Sequence, residues 1–561
     1  MTGGATKGVM MTILRNVLMA SASAMILSAC GASDIASPGA GGNVTIITNN
    51  PAPTPTPAPT PTPTATLVTA ASACPVIADS QGLTDRGTLT GPTGSYRVCA
   101  LPARINTSSI LPRVSGVLYN LASRVDVGTD QGPTPKSGEP SVTLTIQPGV
   151  TIIADNGPTW LNVNRGNKIN AAGTKTAPII FTSRANAEGN TTENSSGQWG
   201  GVVLSGRAQI TDCAAAAATP GTVACERQTE GAVDPALYGG ATNDDNSGVL
   251  SYVQIRYSGY ILSANSELQS LTTQGVGSKT QLDHIMSFNS SDDGAEFFGG
   301  HVNMKYYIAV GAEDDNLDTD TGLKGNFQYV IAVQRNGSTP ATADSMIEAD
   351  SDNALDGNTP RQNTTVANFT FIDRVAGNSD VASILLRGGT DYTLVNGIMV
   401  NQVTNPCLRI SRAQTASKTA NDAIDEAGAP VFQSVVFSGC GSRPFVGSPN
   451  ASAGETTPTD ADVTALFNAG SNNNANFTST LTSLYINGAN ETAVPAFDAT
   501  TLNNRTIAGI LVTPAGFFDK TTYIGAVKDA SDTWYQGWTC NSASASFGTG
   551  NSGNCTTLPS A

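Results

Sequence analysis

Short apolar runs recur at a fixed interval in the middle of this chain, and that interval limits the possible folds more than any other feature. Val142-Thr143-Leu144-Thr145-Ile146, Leu250 to Ile255, His284 to Phe288, Tyr307 to Val310 and Val330 to Val333 each read as a strand followed by a polar turn. Taking Ile285, Ile308 and Ile331 as equivalent gives a spacing of 23 residues twice over. A period of that size in strand-like sequence marks a solenoid, because each coil can bury its inner face only against its neighbours. No run has the pattern of a strong amphipathic helix, which argues against helical repeats. The expected fold is all-β: a right-handed parallel β-helix over residues 136–400. Residues 142–400 divided by the period give about eleven coils, a rod about 50 Å long at ~4.8 Å per coil.

The ends of such a stack expose unpaired strand edges and need covers. Residues 67–135 are expected to form an N-terminal cap. Residues 401–561 lose the period and are expected to hold an irregular continuation and cap, with Ser448 to Asn476 as an insertion. The aromatic tail from Phe517-Phe518 to Trp534-Tyr535-Gln536-Gly537-Trp538 is expected to cover the last coil. A loop at 211–246 interrupts the register. With Cys30 set aside, eight of the nine cysteines remain, an even number that suits an oxidising compartment. They fall into four local couples, Cys74/Cys99, Cys213/Cys225, Cys407/Cys440 and Cys540/Cys555, expected to pair in sequence as disulfides. None sits in a zinc-binding pattern. The net charge of −15 argues against nucleic acid, for which a basic stripe would be expected, and favours cations as partners.

Acidic residues concentrate in two consecutive coils, Ser291-Asp292-Asp293-Gly294-Ala295-Glu296 and Asp314-Asp315-Asn316-Leu317-Asp318-Thr319-Asp320. The 23-residue period places Asp315 over Asp292 and Asn316 over Asp293. Carboxylates stacked ~5 Å apart repel by about 0.8 kcal/mol in water and about 3 kcal/mol at an effective dielectric of 20. Such a stack calls for a hard cation, for protonation or for splaying into solvent. Asp292, Asp293, Asp314, Asp315, Asp318 and Asp320 are therefore candidate ligands of a structural Ca²⁺, and Asn243-Asp244-Asp245-Asn246 is a cluster of the same kind. Asp292, Asp293, Glu296 and Asp315 are also candidate catalytic carboxylates for glycoside hydrolysis. Lys305, Lys324, Arg256 and Arg335 are available as the base of a lyase, though no spacing groups them. Gly300-His301 resembles the Gly-His pair of polygalacturonases, but His284 and His301 both read first as structural.

The N-terminal stretch combines Lys7 and Arg15 with an apolar run through Met25-Ile26-Leu27, the pattern of a secretory signal. Leu27-Ser28-Ala29-Cys30 resembles the lipobox of bacterial lipoproteins. That resemblance implies a signal peptide at 1–29, acylation of Cys30 (palmitate among the chains), and, with Gly31 following, anchoring in the outer membrane. Two or more acyl chains give stable attachment. Residues 30–66 carry Pro51-Ala52-Pro53-Thr54-Pro55-Thr56-Pro57, which continues to Thr64. Alternating Pro excludes helix and sheet, so the segment is expected to be a disordered tether reaching about 40 Å.

Several segments are similar to β-helical bacterial surface lipoproteins. They are Gly197-Gln198-Trp199-Gly200-Gly201-Val202-Val203-Leu204-Ser205-Gly206-Arg207-Ala208, Asp244 to Leu250, Ser291 to Gly300, and Gly537-Trp538-Thr539. The resemblance implies a pectate-lyase-like β-helix at the cell surface or in the periplasm, often beside a TonB-dependent receptor, and supplies no catalytic residues. Two functions follow as expectations. The favoured one is a non-enzymatic protein that binds a glycan or other nutrient for such a receptor; the alternative is a lyase or hydrolase of an acidic polysaccharide.

Overall fold

A computed structural model describes residues 67–561, apart from 264–265, 336–344, 352–358, 377–381, 448–456, 550–552 and 560–561. The signal peptide, Cys30 and the tether lie outside the described residues. Two parallel sheets run the length of a right-handed β-helix, one of 15 strands and one of 11. The wide sheet includes Gly248–Arg256, Gln281–Phe288, His301–Val310, Lys324–Val333, Asn363–Asp373, Asp391–Asn401 and Val431–Ser438. The narrow sheet includes Leu271–Gln274, Ala295–Phe298, Leu317–Asp320, Ile347–Ala349 and Ile384–Leu386. No described helix is long and apolar enough to cross a membrane.

Each long strand bends at one residue in the left-handed region, so that one strand forms two sides of its coil. The bends stack along the rod: Tyr252, His284, Tyr306, Tyr329, Asn368, Asn396 and Ser434 all have φ between 50° and 64°. A non-glycine residue there is strained. Ring stacking compensates at four of the seven. Tyr252 lies 4.1 Å from His284, His284 lies 4.3 Å from Tyr306, and Tyr306 lies 4.8 Å from Tyr329. At Asn368 and Asn396 the carboxamides instead donate to backbone carbonyls of Tyr523 and Phe497. Inward residues of successive coils fill the interior, with Phe297, Phe327, Phe369 and Phe371 at the middle. Gly397 is required there, because a Cβ would meet the Phe369 ring at 1.8 Å.

The structure moves several boundaries. Parallel pairing between long strands begins with Gly94–Ala100 on Val117–Leu121, well before residue 136, and the antiparallel strand Thr84–Gly91, with a bridge from Val68 to Gly94, covers that edge. Among the described residues, seven narrow-sheet strands, not eleven, fall within 142–400; the full set of 11 extends from Arg104 to Gly447. The register from Gln281–Phe288 to His301–Val310 pairs Met286 with Ile308, an offset of 22, and only the next step, Ile308 to Ile331, is 23. The stretch from Ser448 to Asn476 is more than an insertion. Its helix Asp460–Asn468 closes the last coil, burying Val463, Leu466 and Phe467 against Phe432, Phe437 and Phe445.

The aromatic tail does not cover that coil. It returns along the outer face of the wide sheet, where Trp538, Tyr535 and Phe547 pack over Met286, Ile308, Val310, Ile331 and Val333. The face is apolar on its outer side as well, and that draws the tail back over it. The four cysteine couples are bonded as disulfides, Cys74–Cys99, Cys213–Cys225, Cys407–Cys440 and Cys540–Cys555.

Candidate functional site

Side chains alternate in and out along each narrow strand, as the pleat dictates. Leu317 and Thr319 point inward, so Asp318 and Asp320 point out; Ala295 and Phe297 point inward, so Glu296 points out. Parallel register then stacks Glu296 on Asp318 and Asp318 on Glu348. The turns leading into these strands add Asp292, Asp293, Asp314 and Asp315. Asp293 Oδ1 accepts the amide of Asp315 at 2.8 Å, and Asp315 Oδ1 accepts that of Ser345 at 2.7 Å. The offset between these turns is therefore 22, not 23: Asp315 stands over Asp293, and Asp314 over Asp292.

These residues line an open groove of about 380 Å³. One wall comes from the inserted loop, which contributes Asp212 and Glu230 and is fastened by Cys213–Cys225 and by Glu226 on buried Arg165 at 2.6 Å. Among the described residues, Glu267 and Asp350 complete a lining of 12 carboxylates, against which the only basic side chain is Arg387. Arg387 is itself held by Glu348 and by Asp350 at 3.1 Å.

The electrostatic consequence is large. Burial, and then the charge of Asp314, push Asp292 up to about 8. Asp293 rises well above the usual carboxylate range through burial and Asp292, Glu296 through burial and Asp318, and Asp318 through burial and Asp320. Burial also raises Asp320, and lifts Glu230 to about 7. Two overlapping sets, Asp292/Asp293/Asp314 and Asp293/Glu296/Asp318, each bring three carboxylate oxygens within 4.8 Å of one another. The hydroxyl of Thr321, on the groove lining and 7% exposed, has no hydrogen-bond partner. An oxygen-only donor set of this kind fits a hard divalent cation.

All six proposed ligands and Glu296 reach the groove, but Asp315 is committed to backbone and buried. Asp212, Glu230, Glu267, Glu348 and Asp350 join them without a sequence signal, since no 23-residue spacing connects them to the acidic coils. The second acidic cluster is a turn instead. Asp245 accepts the Arg207 amide, Asn243 that of Gln209 and Asn246 that of Gly248, while Asp244 pairs with Lys279.

None of the basic residues considered for a lyase lines the groove. Lys305 pairs with Asp519 on the wide sheet, and Arg335 pairs with Glu313. Arg256 is buried beneath the tail, donating to the carbonyls of Cys555 and Thr557. Lys324 and His301 border a separate cavity. His284 bonds Asp283 at 2.8 Å between two tyrosine rings.

A family model described as a pectate-lyase like beta helix domain matches residues 137–539. No curated protein and no solved structure matches the chain.

Proposed function

The chain belongs to the pectate-lyase-like β-helix domain family, and on that premise we propose that it is a non-enzymatic binding protein of the cell envelope. In this reading Cys30 carries the lipid anchor in the outer membrane, residues 30–66 hold the rod away from the surface, and the acidic groove captures an extended glycan for a TonB-dependent receptor. One observation carries it: 12 carboxylates converge on one open groove with a single arginine among them. Asp292, Asp293 and Asp314 would hold one divalent cation, and Asp293, Glu296 and Asp318 a second. A bound Ca²⁺ would neutralise the charge that burial makes costly and offer oxygen coordination to sugar hydroxyls or carboxylates.

Binding is favoured over lysis because, among the described residues, the groove holds no free base. Lysis of a uronate needs a Lys or Arg near the cation, and Arg387 is already held by two carboxylates. Hydrolysis is the second reading, favoured by Glu296 and Asp318 standing on adjacent rungs, where burial and neighbouring carboxylates raise both above the usual carboxylate range, as a general acid requires.

The test is to incubate the purified protein with uronate and neutral glycans, with calcium and with EDTA. Retention of a glycan that requires calcium, with no new reducing or unsaturated ends, is the expected result. Release of unsaturated products would establish a lyase, and new reducing ends alone a hydrolase. Labelled palmitate should enter the chain at Cys30 and be lost in Cys30→Ala; an unlabelled parent chain would remove the anchor from the proposal.

A further inference from the structure

A second cavity, on a different face from the acidic groove, has a buried cation in its floor. The outward residues His301 and Asn303 pair in register with Lys324 and Asn326 on the next strand, so like side chains stand one rung apart. A hairpin, Arg505–Ile507 with Ile510–Thr513, roofs them. It is pinned by Asn326, whose Nδ2 donates to the Val512 carbonyl and whose Oδ1 accepts from Thr513 Oγ1, each at 2.8 Å. Between strand and roof lies a space of about 370 Å³, the size of a small-molecule site.

The walls divide by chemistry. On the floor, Lys324 is 2% exposed and His301 7%, and both border the cavity. The Lys324 ammonium donates to the Arg361 carbonyl; Asp425 and Asp391 act on it through space, and among the described residues no carboxylate forms a salt bridge with it. Asp244, the one acid on the cavity wall, is taken by Lys279 at 2.6 Å. On the roof, Ile510 and Leu511 are apolar, and Leu511 is 49% exposed. A buried ammonium held by no ion pair is costly, since burial outweighs the distant pull of Asp425 and Asp391, and an anion entering from the cavity relieves that cost.

We propose that this cavity binds a small organic carboxylate, its carboxyl group seated between Lys324 and His301 and its carbon skeleton against Ile510 and Leu511. Asn303 and Asn326 face the remaining polar atoms of the ligand. Burial and the adjacent Lys324 push His301 down to about 3, so the free site presents a neutral imidazole that can donate one N–H.

The chain has two histidines, so their ring protons report the site by NMR without ambiguity. Propionate, succinate and benzoate are titrated into the full chain, with propionamide as a neutral counterpart and inorganic phosphate as an anion lacking a skeleton. The expected result is a saturable shift of His301, and not of His284, with at least one carboxylate. Lys324→Met should weaken that binding on the order of tenfold or more. Because Lys324→Met removes a buried group and can fail to fold, Ile510→Trp is the second variant; it fills the cavity from the hairpin and should abolish the shift. The proposal is overturned if no carboxylate moves His301, if propionamide or phosphate does so equally well, or if a folded variant of either kind binds as the parent chain does.

Discussion

At the residue scale, Asp293 belongs to both cation sets and is the residue on which the groove depends. Asp293→Asn keeps an oxygen for the Asp315 amide but removes one buried charge. In EDTA it should therefore raise the melting temperature, and it should cancel the rise that calcium gives the parent chain. Calorimetric scans of the two proteins in both buffers check this; an unchanged calcium increment would contradict it. The pH dependence follows from the same groups. Asp292 ionises at about 8 in the folded chain against 3.8 for an ordinary aspartate, so the fold binds its proton more tightly. That contribution is fully present below about 3.8 and is lost as pH rises through 8. The metal-free protein should gain stability as pH falls from about 8.5 toward 5, and calcium should flatten the profile. His301 acts in the opposite direction. Its folded value of about 3 lies below the ordinary 6.5, so its contribution is present above 6.5 and is lost as pH falls toward 3. The acids at 292–296 and 314–320 were legible because they recur in consecutive coils. A slip of one residue in the period, which exchanges their partners, leaves no trace in sequence. Nor does the stacked bend at Tyr252, His284, Tyr306 and Tyr329, because aromatic residues rarely take positive φ and their stacking emerges only once the strands are registered.

At the scale of elements, the C-terminal cover of the solenoid and the returning tail are short, and each depends on large buried side chains. The helix Asp460–Asn468 closes the last coil through Phe467, which is fully buried between Phe437 and Phe445. Phe467→Ala should cost about 3–5 kcal/mol in denaturant unfolding and open the final strand edge to self-association. A loss below about 1 kcal/mol would show that the helix is not the cover. Trp538 fastens the returning tail, with its indole on the Trp534 carbonyl at 2.9 Å and its own carbonyl accepting from Gln254. Trp538→Ala should free the tail for proteolysis beyond residue 533 while leaving the coils intact by circular dichroism. The coils were readable because the inside-outside alternation repeats. The covers were not, since nine residues make too short a helix for its apolar side to stand out. The tail's destination depends on an outer apolar face that is visible only once the strands are registered.

At the scale of the molecule, stacking and oxidation give rigidity, and the groove gives the rod its chemistry. Four disulfides hold the N-terminal cover, the inserted wall, the last coils and the tail, so reduction should loosen the edges before the coils. The groove wall and floor come from segments that are distant in sequence, Glu230 and Asp318 among them, and only the solenoid brings them together. The most direct test is calorimetric titration of Ca²⁺ into EDTA-stripped, redialysed protein, paired with its melting temperature. Saturable binding of one to two ions, lost in Asp293→Asn and accompanied by a higher melting temperature, is the expected result. No binding heat and a melting temperature unmoved by calcium or EDTA would contradict a cation-holding groove.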